Sequence, residues 1–213
     1  MAIQINNITK KYGDRIILNN YSLIIPKNSF TVIAGTSGSG KSTLLNIIGL
    51  LDTPDYGEVT ILGHKNIKPF SSKATKLLRN NIGYLFQNFA LIPEKSVEYN
   101  LNIALDSVRS KNKDTAITDA LKMVGLSEIR KQKVYQCSGG EQQRIAVARL
   151  LLKPCDIILA DEPTGSLDEE NKHIIFYLLK KLQDLGKTVV VVTHDPDLID
   201  IADHVVRLEP QNQ

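Results

Sequence analysis

The sequence predicts an α/β protein with a mainly parallel core sheet, an N-terminal antiparallel β layer and an inserted helical subdomain. Three observations predict this fold class. Short β-branched segments separated by turn residues fill residues 3–25. Strands and helices alternate from residue 30 onwards, except between about residues 93 and 134, where helical periodicity occurs without a strand signal. Such alternation favours a parallel sheet covered on both faces, with ligands at the carboxyl ends of its strands.

The antiparallel layer is predicted from three short strands, Ile3–Thr9, Ile16–Leu18 and Tyr21–Ile25. Turn residues separate these strands at positions 13–14 (Gly-Asp) and 19–20 (Asn-Asn). Glycine, aspartate and asparagine favour turns because they accept positive φ or bond to their own backbone, so each pair is expected to end one strand and begin the next.

The core sheet is predicted from apolar runs that alternate with helical segments. Such runs read as strands buried on both faces. The predicted strands of this sheet cover residues 30–34, 82–86, 157–160 and 188–192. A further strand is predicted over residues 57–63, and the predicted helices begin at residue 43 or cover 71–79, 138–152 and 169–185.

The helical subdomain is predicted over about residues 88–152. Within it, Val97–Ser107 and Thr115–Val124 have helical spacing, and Gly125 ends the second helix. The chain is therefore expected to form a single domain, in which the α/β core with its β layer covers about residues 1–86 and 153–213.

Composition limits the possible functions. The 213 residues include 26 Lys and Arg against 23 Asp and Glu, and the net charge of +3 is too balanced to favour a nucleic acid partner by charge alone. Cys137 and Cys155 have neither disulfide-framework nor metal-site spacing, which fits a reducing compartment. We predict no signal peptide and no membrane span, which needs about 18 apolar residues. A membrane function is therefore expected to use spanning helices from another chain.

Residues 35–42, with the sequence GTSGSGKS, fit the P-loop pattern GxxxxGK[ST] at every specified position. They lie between a predicted strand and a predicted helix, which is the context that the pattern requires. The glycines allow backbone N–H groups to surround phosphates, Lys41 reaches the terminal phosphates, and the Ser42 hydroxyl ligates Mg²⁺. A nucleoside triphosphate is therefore the expected ligand.

Two carboxylates, Asp161 and Glu162, follow the predicted strand over residues 157–160 and are expected at the same sheet edge as the P-loop. Asp161 suits the binding of Mg²⁺, usually through water, and Glu162 is placed to orient and polarise an attacking water. A solvated acidic pair at a strand end is the alternative, and the P-loop argues against it.

Residues 138–144, with the sequence SGGEQQR, open a predicted helix, and Ser138 is expected to be its N-cap. At this point the chain resembles the ATP-binding subunit of ABC transporters, because the segment is similar to the family signature LSGGQ. The resemblance covers about Ile3 to Leu208. It implies a P-loop NTPase (ABC ATPase) fold, ATP and Mg²⁺ as cofactors, and Mg²⁺-dependent ATP hydrolysis.

The resemblance implies roles for further residues. Tyr12 is similar to the aromatic residue that stacks on adenine, and Gln87 to the Q-loop residue that contacts Mg²⁺ and water. His194 is similar to the switch histidine, which contacts the γ-phosphate, and Ser166 and Asp168 to the D-loop at the dimer interface. The implied sets are Glu162, His194 and Gln87 for catalysis; Ser42, Gln87 and Asp161 for the metal; and Tyr12, Gly35, Thr36, Ser37, Gly38, Ser39, Gly40, Lys41, Ser42, Thr43, Ser138, Gly139, Gly140 and Glu141 for the nucleotide.

In the family, the signature of one subunit binds the γ-phosphate held by the P-loop of a second subunit. The resemblance therefore implies that two copies of the chain pair head to tail. It also implies a membrane permease as partner, a peripheral location at the cytoplasmic face of the cell membrane, and no nucleic acid partner.

Within the family, residues 86–92 and the segments GEQQR and DEPTGSLD resemble the exporter branch of macrolide, lipoprotein-releasing and bacteriocin-export ATPases, with bacteriocin export as the nearest resemblance. Two alternatives stay open, an importer ATPase and a soluble ABC ATPase that acts on nucleic acid. The compact helical interval before the signature argues against the second of these. The presence of Glu162 and His194 argues against a non-catalytic nucleotide sensor.

The signature departs from the family pattern at two positions. Cys137 stands where Leu is usual, and we expect a small effect because that position serves mainly packing. Glu141 stands where Gln is usual. Its charge near a phosphate is a cost that Arg144 is expected to offset.

Overall fold

The computed structural model describes residues 1–106, 108, 112–165 and 167–210, so the predicted D-loop residue Ser166 lies outside the described residues. The described chain contains a four-stranded antiparallel sheet, in the order β2-β1-β4-β5, and a five-stranded parallel sheet, in the order β6-β7-β8-β3-β9. The strands are β1 Ile3–Tyr12, β2 Arg15–Ile25, β3 Phe30–Ala34, β4 Tyr56–Ile61, β5 His64–Lys65, β6 Ile82–Leu85, β7 Ile157–Asp161, β8 Thr188–Val192 and β9 His204–Arg207.

Seven α-helices accompany these sheets in the described residues. They are α1 Lys41–Ile48, α2 Ser72–Asn80, α3 Val97–Asn102, α4 Lys113–Met123, α5 Gly139–Leu152, α6 Glu169–Asp184 and α7 Pro196–Asp200. None of the helices within the described ranges is long and apolar enough to span a bilayer. The architecture confirms the predicted fold class, a parallel α/β core with an N-terminal antiparallel layer and a helical region between β6 and β7.

The first two strands form a hairpin in which Tyr12 pairs with Arg15, and Gly13 takes a φ of 59° at the turn. The predicted break at residues 19–20 is wrong, because β2 runs through them. Asn20 takes a φ of 49° and the register with β1 shifts there, so the chain forms a bulge. Asparagine tolerates positive φ, which permits a bulge as readily as a turn.

The parallel sheet separates two hydrophobic clusters, one on each face. Val189 and Val191 of β8 belong to the cluster that includes α3, α4, α5 and α6, whereas Val190 and Val192 belong to the cluster under α1, α2 and the antiparallel layer. This division follows the two-residue period of a strand. The helical region therefore packs on one face of the sheet, and α1 after the P-loop packs on the other. The predicted domain bounds, including residues 88–152 for the subdomain, stay a prediction.

The sequence prediction differs from the structure in the length of one helix in the helical region and in two short elements near the C-terminus. Helix α3 ends at Asn102 and a 3-10 turn over Ile103–Leu105 follows it, so the predicted helix is shorter; its predicted end, Ser107, lies outside the described residues. Short elements such as β9 and α7 were not predicted. They carry few apolar residues, so they lack a periodic signal.

The order of the parallel strands decides where the chemistry lies. Strand β8 lies between β7 and β3, so the three carboxyl ends are adjacent at one edge of the sheet. The P-loop follows β3, Asp161 ends β7, and His194 comes two residues after β8 ends. Residues from three distant parts of the sequence therefore meet at this edge.

Candidate active site

A cavity of about 750 Å³ opens at this edge of the sheet. Its walls are the P-loop, the loops that follow β6, β7 and β8, and the beginning of β2. The residues that line it are Arg15, Ile17, Gly35, Thr36, Ser37, Gly38, Gly40, Lys41, Ser42, Thr43, Gln87, Glu162, Gly165, Val192 and His194. The structure thus brings most of the predicted P-loop residues together with Gln87, Glu162 and His194.

The P-loop backbone requires its glycines. Gly38 and Gly40 have φ values of 78° and 94°, which favour glycine. A Cβ on Gly40 would lie 2.8 Å from a methyl group of Ile17, and a Cβ on Gly35 would lie 2.3 Å from the carbonyl oxygen of Leu208. Ser39 is buried, and its hydroxyl has no hydrogen-bond partner among the described residues. The loop is therefore closely packed from behind by β2 and by the segment after β9.

Lys41 begins α1 and is buried at the base of the cavity. Its ammonium donates hydrogen bonds of 2.8 Å to the carbonyl oxygens of Gly35 and Thr36. Two of its three N–H donors thus hold the loop closed around the charge. The N-terminus of α1 adds positive potential at the same place, and the combination suits phosphate.

Ser42 and Asp161 form a pair of oxygen atoms beside Lys41. The Ser42 hydroxyl donates to Oδ1 of Asp161 at 3.3 Å. Burial raises the pKa of the Asp161 carboxyl, the charge of Glu162 adds to this, and Ser42 and Lys41 partly oppose it. A divalent cation favours the ionised form of such a carboxylate, so the pair fits Mg²⁺. No cluster of three His, Cys, Asp or Glu side chains that could hold a metal occurs in the described chain.

Glu162 is held between two residues that follow β8. Its Oε1 lies 2.9 Å from Nδ1 of His194, and its Oε2 accepts a hydrogen bond of 3.2 Å from the Thr193 hydroxyl. Its backbone N–H donates to the carbonyl oxygen of Val192. Glu162 also has a φ of 44°, an unusual value for a residue with a side chain, and such strain is concentrated at functional sites. The carboxylate is therefore fixed in a cavity-facing position where it can polarise a water.

The signature residues Ser138, Gly139, Gly140 and Glu141 do not line this cavity. Ser138 caps α5, because its hydroxyl accepts from the N–H of Glu141 at 3.3 Å while Oε2 of Glu141 accepts from the N–H of Ser138 at 2.7 Å. Glu141 and Arg144 form no ion pair within 4.0 Å in the described chain, and the compensation of the Glu141 charge by Arg144 near a phosphate stays a prediction. The Glu141 carboxylate lies in the first turn of α5, where its negative charge interacts favourably with the helix dipole.

Asp168, a predicted D-loop residue, and the beginning of α6 lie close to the beginning of α5, where the signature is. Asp168 caps α6 by accepting a hydrogen bond of 2.8 Å from the N–H of Asn171. The Asn171 amide, which also donates to Asp168, covers Gly140 so closely that a Cβ there would lie 2.4 Å from it. Asp168 is therefore linked to the signature residue Gly140 through Asn171 in one chain, and neither Asp168 nor Gly140 lines the P-loop cavity.

Tyr12 lies at the end of β1 and does not line the cavity. Its hydroxyl donates a hydrogen bond of 2.6 Å to Asp52, which also pairs with the Lys10 ammonium at 2.7 Å. The hydrogen bond to Asp52 raises the pKa of Tyr12, and burial adds to this. Half of the Tyr12 side chain is exposed, so its ring is accessible, and the role of Tyr12 in adenine stacking stays a prediction.

The prediction from sequence missed several residues of the site. Arg15 and Ile17 line the cavity but belong to no motif, and Gly165 lines it as part of the segment DEPTGSLD, although it was given no role. Gln143 is buried in α5, and its amide donates a hydrogen bond of 2.6 Å to the carbonyl oxygen of Pro163, next to Glu162. The motif order places Gln143 near the signature, but only the packing of α5 reveals the contact with the loop after β7.

A comparison with known families identifies the chain. The family model described as ABC transporter matches residues 18–165. The chain belongs to the ABC transporter family. The predicted family is thereby confirmed, and with it ATP as the expected nucleotide.

Curated relatives agree with this membership. The chain is 43% identical over 218 residues to the uncharacterized ABC transporter ATP-binding protein MJ0796 of Methanocaldococcus jannaschii, a match that covers 97% of this chain and 93% of the relative. It is 41% identical over 210 residues to the lipoprotein-releasing system ATP-binding protein LolD of Bacteroides thetaiotaomicron, covering 97% and 96%. The macrolide export ATP-binding/permease protein MacB of Chlorobaculum tepidum is 41% identical over 215 residues, but the chain spans only 33% of its length.

Solved structures give the same result for the fold. A dimeric structure of the ABC transporter cassette MJ0796 matches with a TM-score of 0.87 at 42% identity, covering 97% of this chain and 94% of that one. A dimeric post-hydrolysis state of MJ0796 bound to ADP and phosphate also matches with a TM-score of 0.87, at 40% identity, covering 99% and 97%. The chain therefore has the fold of an ABC ATPase cassette.

Proposed function

We propose that this chain is the ATP-hydrolysing cassette of an ABC transporter and that it powers a membrane permease. The observation that carries the proposal is the position of the Glu162 carboxylate, which His194 and Thr193 hold in the cavity that also contains Lys41. A phosphate-binding loop with an adjacent, oriented carboxylate has the two parts that water attack on a phosphoryl group needs.

The residues divide the chemistry between them. Backbone N–H groups of the P-loop and the Lys41 ammonium bind the phosphates and stabilise negative charge that develops in the transition state. Ser42, Asp161 and Gln87 would hold Mg²⁺, which neutralises phosphate charge when it is bound. Glu162 accepts a hydrogen bond from a water and orients it for in-line attack on the γ-phosphate.

We propose that a second copy of the chain completes the site. The signature residues, including Ser138 and Glu141, lie outside the cavity of their own chain, so a partner in head-to-tail orientation can present them to the γ-phosphate. The dimeric structures of MJ0796 support the pairing of two copies. ATP would then close the dimer and hydrolysis would reopen it.

We propose that the permease binds this chain beside the loop that follows β6. A second cavity of about 510 Å³ there is lined by residues such as Phe86, Ala90, Ile103 and Arg149. Phe89 and Ala90 both have positive φ, of 62° and 48°, and the guanidinium of the partly buried Arg149 donates hydrogen bonds to their carbonyl oxygens. This loop connects Gln87, which lines the P-loop cavity, to the second cavity. A permease segment bound in the second cavity can therefore respond to nucleotide binding.

The branch of the family is also a proposal. The names of MacB and LolD support an exporter or a mechanical-transmission complex of the macrolide or lipoprotein-releasing kind, with a peripheral position at the cytoplasmic face of the membrane. The chain spans a third of MacB, whose name includes the permease, so whether the permease is a separate chain is part of what must be tested. Bacteriocin or antimicrobial-peptide export is the specific substrate class proposed.

The decisive experiment measures phosphate release by the purified chain with and without Mg²⁺, and compares it with the variant Glu162→Gln. We expect Mg²⁺-dependent turnover in the wild type, little turnover in the variant, and an ATP-stabilised dimer of the variant on size-exclusion chromatography. The isosteric amide cannot polarise water as the carboxylate does. Wild-type turnover in the variant would contradict the role of Glu162, and retention of the monomer with ATP would contradict the head-to-tail site.

A further inference from the structure

Arg15 lies beside the P-loop although no motif includes it. It begins β2 and pairs with Tyr12 across the hairpin turn. Residues two apart on a strand share a face, so Arg15 and Ile17 point the same way, and both line the cavity. Ile17 packs against Gly40, which shows that this face of β2 is turned towards the P-loop.

The Arg15 guanidinium reaches the glycine-rich part of the P-loop. Its Nη2 lies 3.7 Å from the position that a Cβ on Gly38 would take. Gly38 has left-handed backbone geometry and lines the same cavity as Lys41. The guanidinium is therefore on the cavity side of the loop whose N–H groups are expected to surround phosphates.

Arg15 is also a cation without a protein partner. Its side chain makes no hydrogen bond and no ion pair with any residue in the described ranges. Lys41, by contrast, donates to two carbonyl oxygens, and Arg149 is likewise hydrogen-bonded. The five N–H donors of Arg15 are thus available to a ligand, and their planar arrangement matches two oxygens of a phosphate group.

We infer that Arg15 is a further nucleotide-binding residue, whose guanidinium pairs with oxygens of the ATP phosphate chain. The inference rests on the proposed function, because it requires ATP in the P-loop cavity. Phosphate is the favoured group because Gly38, the nearest part of the loop, belongs to the phosphate-binding pattern. A triphosphate carries more negative charge than Lys41 alone can neutralise, so a second cation at the cavity wall strengthens binding.

The test compares Arg15→Ala and Arg15→Gln with the matched control Lys11→Ala. Lys11 belongs to the same hairpin and carries the same charge, but it does not line the cavity. The measured quantity is the Kd of the Mg²⁺ complex of a fluorescent ATP analogue, at low and at physiological salt. We expect the Arg15 variants to bind about three- to thirtyfold more weakly, with a smaller loss at high salt, because an exposed charge-assisted pair is screened. Lys11→Ala is expected to stay within about twofold of the wild type.

A competition assay identifies the part of the nucleotide that Arg15 contacts. Inorganic tripolyphosphate and adenosine are each used to displace the fluorescent analogue from the wild type and from Arg15→Ala. The inference predicts that the variant loses affinity for tripolyphosphate by the same factor as for ATP and keeps its affinity for adenosine. Circular dichroism and the unfolding midpoint of each variant show whether it is folded.

The outcomes separate this inference from the proposed function. If the wild type binds no ATP, the proposed function fails. If the wild type binds ATP and a folded Arg15→Ala binds it equally well, only the inference on Arg15 is overturned. A loss confined to adenosine also overturns it, because the contact would then be with the base or ribose.

Discussion

Oε1 of Glu162 lies 2.9 Å from Nδ1 of His194, although the two residues are 32 positions apart in the sequence. They meet because β7 and β8 are parallel neighbours, so the residues that follow them leave the sheet at the same edge. The histidine is mostly exposed on the cavity side, whereas the carboxylate is half-buried beneath it. His194 can therefore contact both a ligand and the group proposed to polarise water.

Removing this partner is expected to slow hydrolysis more than it weakens binding. In His194→Ala the Glu162 carboxylate keeps only its bond to Thr193 and loses its fixed orientation. We expect the phosphate-release rate at saturating ATP to fall about 100-fold, as is typical for a lost acid–base partner, and the Kd for ATP to change by less than about fivefold. The control His64→Ala removes an exposed histidine of β5 and should leave both values unchanged. An equal loss in both quantities would show that His194 serves nucleotide binding instead.

The contact between Gly140 and Asn171 gives a prediction about the signature. A Cβ on Gly140 would lie 2.4 Å from the Asn171 side chain, so Gly140→Ala must displace either the asparagine or the start of α5. We expect this variant to fold but to lose ATP-dependent dimer formation, measured by size-exclusion chromatography of protein that also carries Glu162→Gln.

Shortening the opposing side chain should restore the dimer. In Gly140→Ala with Asn171→Ala, the space freed by the asparagine accommodates the new methyl group. Asn171→Ala alone, also in Glu162→Gln protein, is the matched control, and we expect for it and for the combined variant at least half of the dimer fraction that Glu162→Gln alone shows. Such compensation between contacting residues is a coupling that a double-mutant cycle measures. A combined variant that behaves like Gly140→Ala would mean that the methyl group acts on the partner's ATP and not on Asn171.

The sequence predicted the parts of the site that motifs define and missed those that packing defines. The P-loop, Asp161, Glu162 and His194 follow strands whose apolar runs are unmistakable, and parallel strands present their carboxyl ends at one edge. Arg15 and Gln143 reach their places through the bulged hairpin and the packing of α5, and no local pattern encodes either contact. Glu141 could be predicted at the helix start, but its bond to the Ser138 N–H depends on the side-chain rotamer.

A partly buried ion pair beside Tyr12, between Lys10 and Asp52, predicts how stability depends on pH. Burial alone would raise the pKa of Asp52, but hydrogen bonds from Lys10 and Tyr12 outweigh it, so the pKa of Asp52 lies below its ordinary value. A carboxyl group with a lowered pKa stabilises the fold above its ordinary pKa, and this contribution disappears as the pH falls through the lowered value. Asp52→Asn should therefore be less stable than the wild type by about 1 kcal/mol at pH 7.

The difference between the two proteins is the quantity to measure. Urea unfolding from pH 7 to about pH 3 should show that the free-energy gap between wild type and Asp52→Asn is constant at neutral pH and shrinks below about pH 4. Asp55→Asn is the control, because the hydrogen bond of 2.7 Å that Asp55 accepts comes from the backbone N–H of Lys11 and not from a charged side chain. A gap that is independent of pH would show that Asp52 contributes packing and not charge.

Cys137, which replaces the usual leucine of the signature, is expected to tolerate the reversion Cys137→Leu with little effect on turnover. The thiol is buried in the main hydrophobic cluster, where burial raises its pKa, and it donates a weak hydrogen bond of 3.8 Å to the Lys133 carbonyl oxygen. The backbone at this position is held independently, since the Cys137 carbonyl oxygen accepts a hydrogen bond of 2.9 Å from the Gln142 amide. The position of Ser138 thus does not depend on the thiol.

The larger leucine should act on stability and not on catalysis. Filling an already packed site costs about 1–3 kcal/mol, which the added apolar burial partly offsets, so we expect the free energy of unfolding to fall by about 1 kcal/mol or less. Phosphate release should stay within about twofold of the wild type. Gln142→Ala is the matched comparison, because it removes the backbone anchor and should lower turnover without enlarging the core. A large loss of turnover in Cys137→Leu with unchanged stability would instead show that the volume of residue 137 sets the position of the signature.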